Sequence, residues 1–216
     1  LWIIIALVVL VIYFQFNKRQ SLLRLSILRN RKFNAFLYSF LVYQAILLGL
    51  SFILPNYLQL GMHVSATAAG LFMFPGAVIG SVLAPISGRL LDRVGATKPI
   101  LTGVTIATIA LLLMAWLFGQ LNFWLLMAVH MLLMVGIGLS YANLMTITLA
   151  TLPAADNADG NSILNTLTQF IGASATAVVA QIFASAVAAH ANTGVVRGSQ
   201  LGVVVLAVLV VVSLVV

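Results

Sequence analysis

Hydrophobic positions in this chain form long unbroken runs instead of alternating with polar ones. Seven apolar stretches cover residues 1–16, 34–54, 66–87, 99–119, 123–152, 162–190 and 199–216. A helix rising about 1.5 Å per residue needs about 20 apolar residues to cross the roughly 30 Å hydrocarbon layer of a bilayer. Strands of a membrane barrel would be about 10 residues long and would alternate in polarity. The runs therefore predict an all-α, polytopic membrane helix bundle. The stretches at 123–152 and 162–190 have length to spare for tilting or protruding. Those at 1–16 and 199–216 are short, and the chain opens at Leu1 and closes at Val216 inside them. That pattern predicts a fragment of a longer protein, with a truncated span at each end.

Composition sharpens the class. Hydrophobic residues make up 63% of the 216 and charged ones 6%, against about 25% charged in an ordinary soluble domain. One soluble core of this size cannot bury so much apolar surface. A bilayer does not require it to, provided the backbone polar groups are satisfied within the spans. With no cysteine, disulfides and thiolate metal sites are excluded. The formal charge of +7 raises nucleic acid as a partner. The cations flank spans rather than building a basic domain, however, so membrane lipid is the partner they fit and nucleic acid is excluded.

Their placement also orients the chain. Lys18, Arg19, Arg24, Arg29, Arg31, Lys32, Arg89, Arg93 and Lys98 fall on one side if connections alternate, and only Arg197 falls on the other. The positive-inside rule puts the connections at 17–33, 88–98 and 153–161 in the cytoplasm, and Asp156 and Asp159 in the last weigh little in that rule. Leu22, Leu23, Leu25, Ile27 and Leu28 lie among the cations of 17–33. That segment reads either as an amphipathic helix on the inner leaflet or as a solvated linker.

The sharpest local pattern runs from Gly88 to Pro99 and reads as a tight cytoplasmic turn between two helices. Gly88 and Gly95 permit unusual backbone conformations. Thr97 is a candidate N-cap and Pro99 suits a first helical turn. Asp92 has Arg89 and Arg93 on either side as candidate partners. The bland alternative is a basic turn that sets topology and nothing more.

The order Gly88-x-Leu90-x-Asp92-Arg93-x-Gly95-x-x-Lys98 resembles the cytoplasmic-loop motif of the major facilitator superfamily. The resemblance implies a conformational latch, with Gly88, Arg89, Asp92, Arg93 and Gly95 tying neighbouring helices in one state and releasing them in another. This copy has Ala96 and Thr97 where basic residues are common in the family. The stretches 54–59, 65–71, 74–76 and 160–172 resemble the fourteen-span drug:proton antiporter family, with Thr168 at a place often basic there. The resemblance covers nearly the whole chain and implies the C-terminal half of such a protein. It divides the chain into the end of a central span at 1–16, a cytoplasmic linker at 17–33 and a six-span domain at 34–216.

No Asp, Glu, Lys or Arg lies deep in a span, which leaves His130 as the ionisable candidate there. Tyr141 lies 11 positions on, on the same helix face, with Met134 between them. That face is either a cavity stripe contacting substrate or protons, or the seat of a histidine satisfied by a neighbouring helix. Tyr43, Leu50 and Tyr57 recur every seven residues beside Gln44 and Ser51, which reads as cavity lining or as packing plus an interfacial tyrosine. Asn165, Gln169, Gly172 and Thr176 share one face, expected to meet either the other half of the protein or substrate. Gly76, Gly80 and Ala84 form a close-packing face, with Pro75 and Pro85 as kink sites, also expected to meet the other half.

By resemblance the function is secondary transport, with proton-driven efflux of small amphipathic, often cationic compounds by alternating access. It implies no cofactor beyond a coupling proton. The partners it implies are a small-molecule substrate and an N-terminal half that carries the main proton-coupling residues. A facilitator exporting a metabolite, siderophore or sugar is the nearest alternative, and a non-transporting scaffold is a further one. A membrane enzyme is disfavoured, because Pro85-Ile86-Ser87-Gly88 lacks the leading glycine of an intramembrane serine motif and no carboxylate pair lies in a span.

Overall fold

The computed structural model describes residues 24–120, 122–190 and 193–213. The span expected at 1–16 and the first cations of the linker lie outside these. Among the described residues there is no strand, and six helices are long and apolar enough to cross a membrane. They are α1 (Arg31–Asn56), α2 (Ala66–Val94), α3 (Thr97–Leu117), α4 (Phe123–Ala150), α5 (Asn157–Ala189) and α6 (Gly194–Ser213).

Local chemistry sets their ends. Asn30 caps α1 by accepting from the Lys32 and Phe33 amides. Ser65 and Asn122 cap α2 and α4 in the same way, each satisfying an amide that the first turn leaves unpaired. Several helices outrun their apolar stretches. α1 starts at Arg31 and continues past Pro55 into a π-helical turn, Tyr57–Gly61. There the Asn56 and Gln59 side-chain amides donate to the Phe52 and Pro55 carbonyls. α6 begins at Gly194 instead of 199 and is 20 residues long as described, to Ser213. Arg197 sits in its opening turns, and reading a charge as a loop misplaced that boundary.

Packing has a simple internal logic. α1 packs on α4, α5 and α6; α4 packs on α1, α2 and α3; and α3 meets α6. Lighter contacts join α1 to α2, α2 to α3 and α4 to α5, and α5 packs on α6. Exchanging α1–α3 with α4–α6 maps this set of neighbours onto itself. Each unit contains three spans, an odd number, so the second enters the membrane from the opposite side. The fold is therefore a pair of inverted repeats.

Small residues let backbones approach within this frame. Gly103 and Ala107 of α3 face Gly136 and Ser140 of α4 so closely that a Cβ at Gly136 would lie 2.5 Å from the Ala107 amide nitrogen. Such four-residue spacing of small side chains drives helix association where lipid offers no hydrophobic gain. The outer surface is apolar, and Trp116 and Trp124 project from it at one end of α3 and α4, as interfacial aromatics do. The chain is a multi-pass membrane protein.

Candidate functional site

α1 and α2 barely touch, and α4 lies behind both. The gap between the three is a cleft of about 520 Å³ near the middle of each helix. Leu47, Leu50 and Ser51 line it from α1, Met73, Ala77 and Ser81 from α2, and His130, Met134, Ile137 and Tyr141 from α4. The walls are almost wholly apolar, with polar groups at a few points, as in small-molecule sites generally.

Two of those points are specific. The Tyr141 hydroxyl donates to Gln44 Oε1 at 2.8 Å, joining α4 to α1. Its ring stacks on Phe40, with centroids 4.7 Å apart. His130 is 1% exposed, and neither ring nitrogen has a hydrogen-bond partner. It lies against Phe72, with ring centroids 5.5 Å apart, and against Gly76. A Cβ at Gly76 would stand 2.6 Å from the imidazole Cε1, so glycine is what admits the ring.

The candidate residues divide into several groups. His130, Met134, Tyr141 and Leu50 come together on the cleft, and Gln44 reaches it through Tyr141. Tyr43 does not line it: the side chain is fully buried in the core. Its seven-residue spacing with Leu50 and Tyr57 defined a face but not which part of that face was filled. Tyr57 likewise packs on Phe118 rather than standing in an interface.

Gly76 and Gly80 turn towards α4, where they meet His130, Met134 and Gly138, and Gly80 and Ala84 also border the cleft. The expectation that this face meets another half gives way to packing inside the bundle. The stripe on α5 splits. Gly172 and Thr176 pack on α1, with Gly172 against Leu48 and Thr176 donating to the Gly172 carbonyl at 3.0 Å and to the Leu48 carbonyl at 3.4 Å. Asn165 and Gln169 stay exposed.

The segment 88–98 is mostly helix, not a turn. α2 runs through Gly88, Arg89, Asp92 and Arg93 to Val94 and stops at Gly95, whose φ of 79° only glycine adopts easily. Thr97 is the first residue of α3, not its cap. Asp92 is exposed and makes no ion pair among the described residues.

One group escaped sequence reasoning. Ser87, fully buried, donates its hydroxyl to the Leu139 carbonyl, and the Asn143 amide donates to Ser87 Oγ at 2.6 Å and to the Leu139 carbonyl at 3.1 Å. This network fastens α2 to α4 just before the latch-like sequence. The signal was Asn143, the one amide side chain of α4.

At the cytoplasmic end, the segment ahead of α1 meets the α4–α5 connection. Leu25–Arg29 forms a 3-10 turn with Ile27 buried and Leu25 and Leu28 exposed; the part of the 17–33 segment before residue 24 lies outside the described residues. The Arg24 guanidinium pairs with Asp156 at 3.0 Å, and the Arg24 amide donates to Asp159 at 3.3 Å. The Asn30 side-chain amide donates to the Thr151 carbonyl. These contacts put the start of α1 and the α4–α5 connection at one end.

A membrane bundle of inverted three-helix repeats around a midplane cleft is the architecture of a secondary transporter half. Residues 1–177 match the family model described as Major Facilitator Superfamily, and the chain belongs to that family. It is 33% identical over 140 residues to the lincomycin resistance protein LmrB of Bacillus subtilis (strain 168), covering 65% of this chain and 29% of that protein. It is 29% identical over 184 residues to the protein of the same name from Listeria innocua, covering 85% of this chain and 39% of the relative. The riboflavin transporter RibZ of Clostridioides difficile (strain 630) is 30% identical over 137 residues, 63% of this chain and 30% of that protein. The chain thus spans well under half the length of these relatives.

Proposed function

We propose that the chain is the C-terminal six-span half of an exporter that drives drugs or similar amphipathic compounds out of the cell by proton-coupled alternating access. The observation that carries this reading is the midplane cleft between α1, α2 and α4, with its apolar walls and few polar points. Two features support a second half as its partner. α2 and α5 occupy equivalent places in the repeats, and each leaves most of its surface uncovered. The names of the LmrB relatives support a drug as substrate. The coupling proton rests on the family resemblance, and the reading assigns the chain no covalent chemistry. In it, α1 follows a cytoplasmic linker, and the α2–α3 junction is a latch.

The test is expression of the full-length protein in a bacterium stripped of efflux pumps. Resistance to lincomycin should rise several-fold, and collapse of the proton gradient should abolish the accompanying fall in accumulation. Unchanged resistance across lincomycin and a panel of amphipathic drugs sinks the drug reading. RibZ supports metabolite export as the second reading, and riboflavin release from the same cells would favour it.

A further inference from the structure

The cleft holds a group that its packing does not explain. His130 is buried among hydrocarbon, and both its ring nitrogens stand without a partner. A neutral imidazole carries one N–H donor and one acceptor nitrogen. Leaving such groups unpaired in a low-dielectric interior costs free energy for each. Leucine would fill the space without that cost. The surroundings nevertheless make room for the ring, since Gly76 has no side chain where a methyl group would collide with Cε1 and Nδ1. His130 is also among the residues that line the cleft, with Met134, Met73 and Leu47.

We infer that His130 is the hydrogen-bonding anchor of the cleft and that it recognises the hydroxyl of an uncharged, otherwise apolar ligand. A hydroxyl both donates and accepts, so it matches either face the imidazole offers. The walls match the apolar remainder. No Asp or Glu lines the cleft, so a cationic group would find no counter-charge there. Tyr141 and Gln44 are already paired to each other and Ser51 donates to the Leu48 carbonyl, which leaves the exposed Ser81 hydroxyl and, deeper in the wall, the His130 ring as the polar groups of the cleft still open to a ligand. The inference deepens the exporter reading and rests on it, departing from the expectation of cationic substrates.

The test uses purified full-length protein in lipid nanodiscs with two fluorescent probes, 7-hydroxycoumarin and 7-methoxycoumarin, at a pH where the phenol is neutral. The wild type should bind the hydroxyl probe about five-fold more tightly than the ether. His130→Leu should bring that ratio to about one while leaving ether binding within two-fold. His130→Gln, which keeps a donor and an acceptor, should retain part of it. A ratio that survives His130→Leu overturns the inference. So does equal loss of both probes in both variants, which would mark a structural role, and so does failure of the wild type to bind either probe. Binding as expected by a protein that exports nothing from cells would instead overturn the exporter reading and leave the anchor standing.

Discussion

α2 on α4 and α5 on α1 are the same contact in the two repeats, yet they are built differently. Where α2 meets α4, backbone lies on backbone: a Cβ at Gly138 would stand 3.2 Å from the Gly80 carbonyl oxygen and 2.9 Å from Leu83 Cβ. The Ser87–Asn143 network then bonds the pair near its cytoplasmic end. Where α5 meets α1, Gly172 receives the tip of the Leu48 side chain, and one hydroxyl at 3.4 Å is the hydrogen bond across. A leucine tip can rotate away, whereas a backbone carbonyl cannot. Repeated topology therefore fixes which helices are neighbours but not how firmly they hold, and the firm pairing is the one whose two helices both line the cleft.

The largest test of this difference is a pair of added methyl groups. Gly138→Ala should destabilise the full-length protein by about 1–3 kcal/mol, as overpacking against backbone does. Gly172→Ala should cost less than about 1 kcal/mol, because Leu48 can repack. Thermal unfolding in detergent measures both, and equal losses would erase the distinction.

Next, Asn143→Leu should cost about 0.6–1.7 kcal/mol in the same assay, the range of hydrogen bonds between membrane helices. Thr176→Val, which removes the longer bond on the other pair, should fall below it. Tyr141→Phe should cost about 0.6 kcal/mol. A double-mutant cycle with Gln44→Leu should recover that coupling, since the Phe40 stack remains in the single variant. The smallest effect belongs to Arg24→Ala. Its partly exposed pair with Asp156 should contribute less than about 0.5 kcal/mol, and less still at high salt.

Much of the fold was legible because lipid imposes a blunt rule. The runs at 34–54, 66–87, 99–119, 123–152 and 162–190 each became a helix, since no other open backbone satisfies itself in hydrocarbon. Ends were misplaced where a charge or a proline was read as a stop. Pro55, Arg93 and Arg197 all lie inside helical backbone. Proline is tolerated in a span where local π adjustments and neighbouring groups re-satisfy the backbone, and a charge near a helix end reaches water without ending the helix.

The site was half legible. Helical spacing put His130, Met134 and Tyr141 on one face correctly, because that needs only the helix period. It misassigned Tyr43 and Gly76, because which neighbour covers a face depends on contacts between residues far apart in the chain. Asn143 was legible as an amide inside a span, but its partner was not, because Ser87 lies 56 positions away.

The inverted repeat has a consequence for how the chain is written into the membrane. The α2–α3 junction, with Arg89, Arg93 and Lys98, corresponds to the α5–α6 junction, which carries Arg197. The two junctions lie on opposite sides, so equivalent loops receive opposite sorting instructions during insertion. Descent from a common three-helix ancestor would then leave its trace in the buried faces and not in the connections. Selection for orientation would have driven those apart first, and the loops would be the worst place to look for the kinship of the two units.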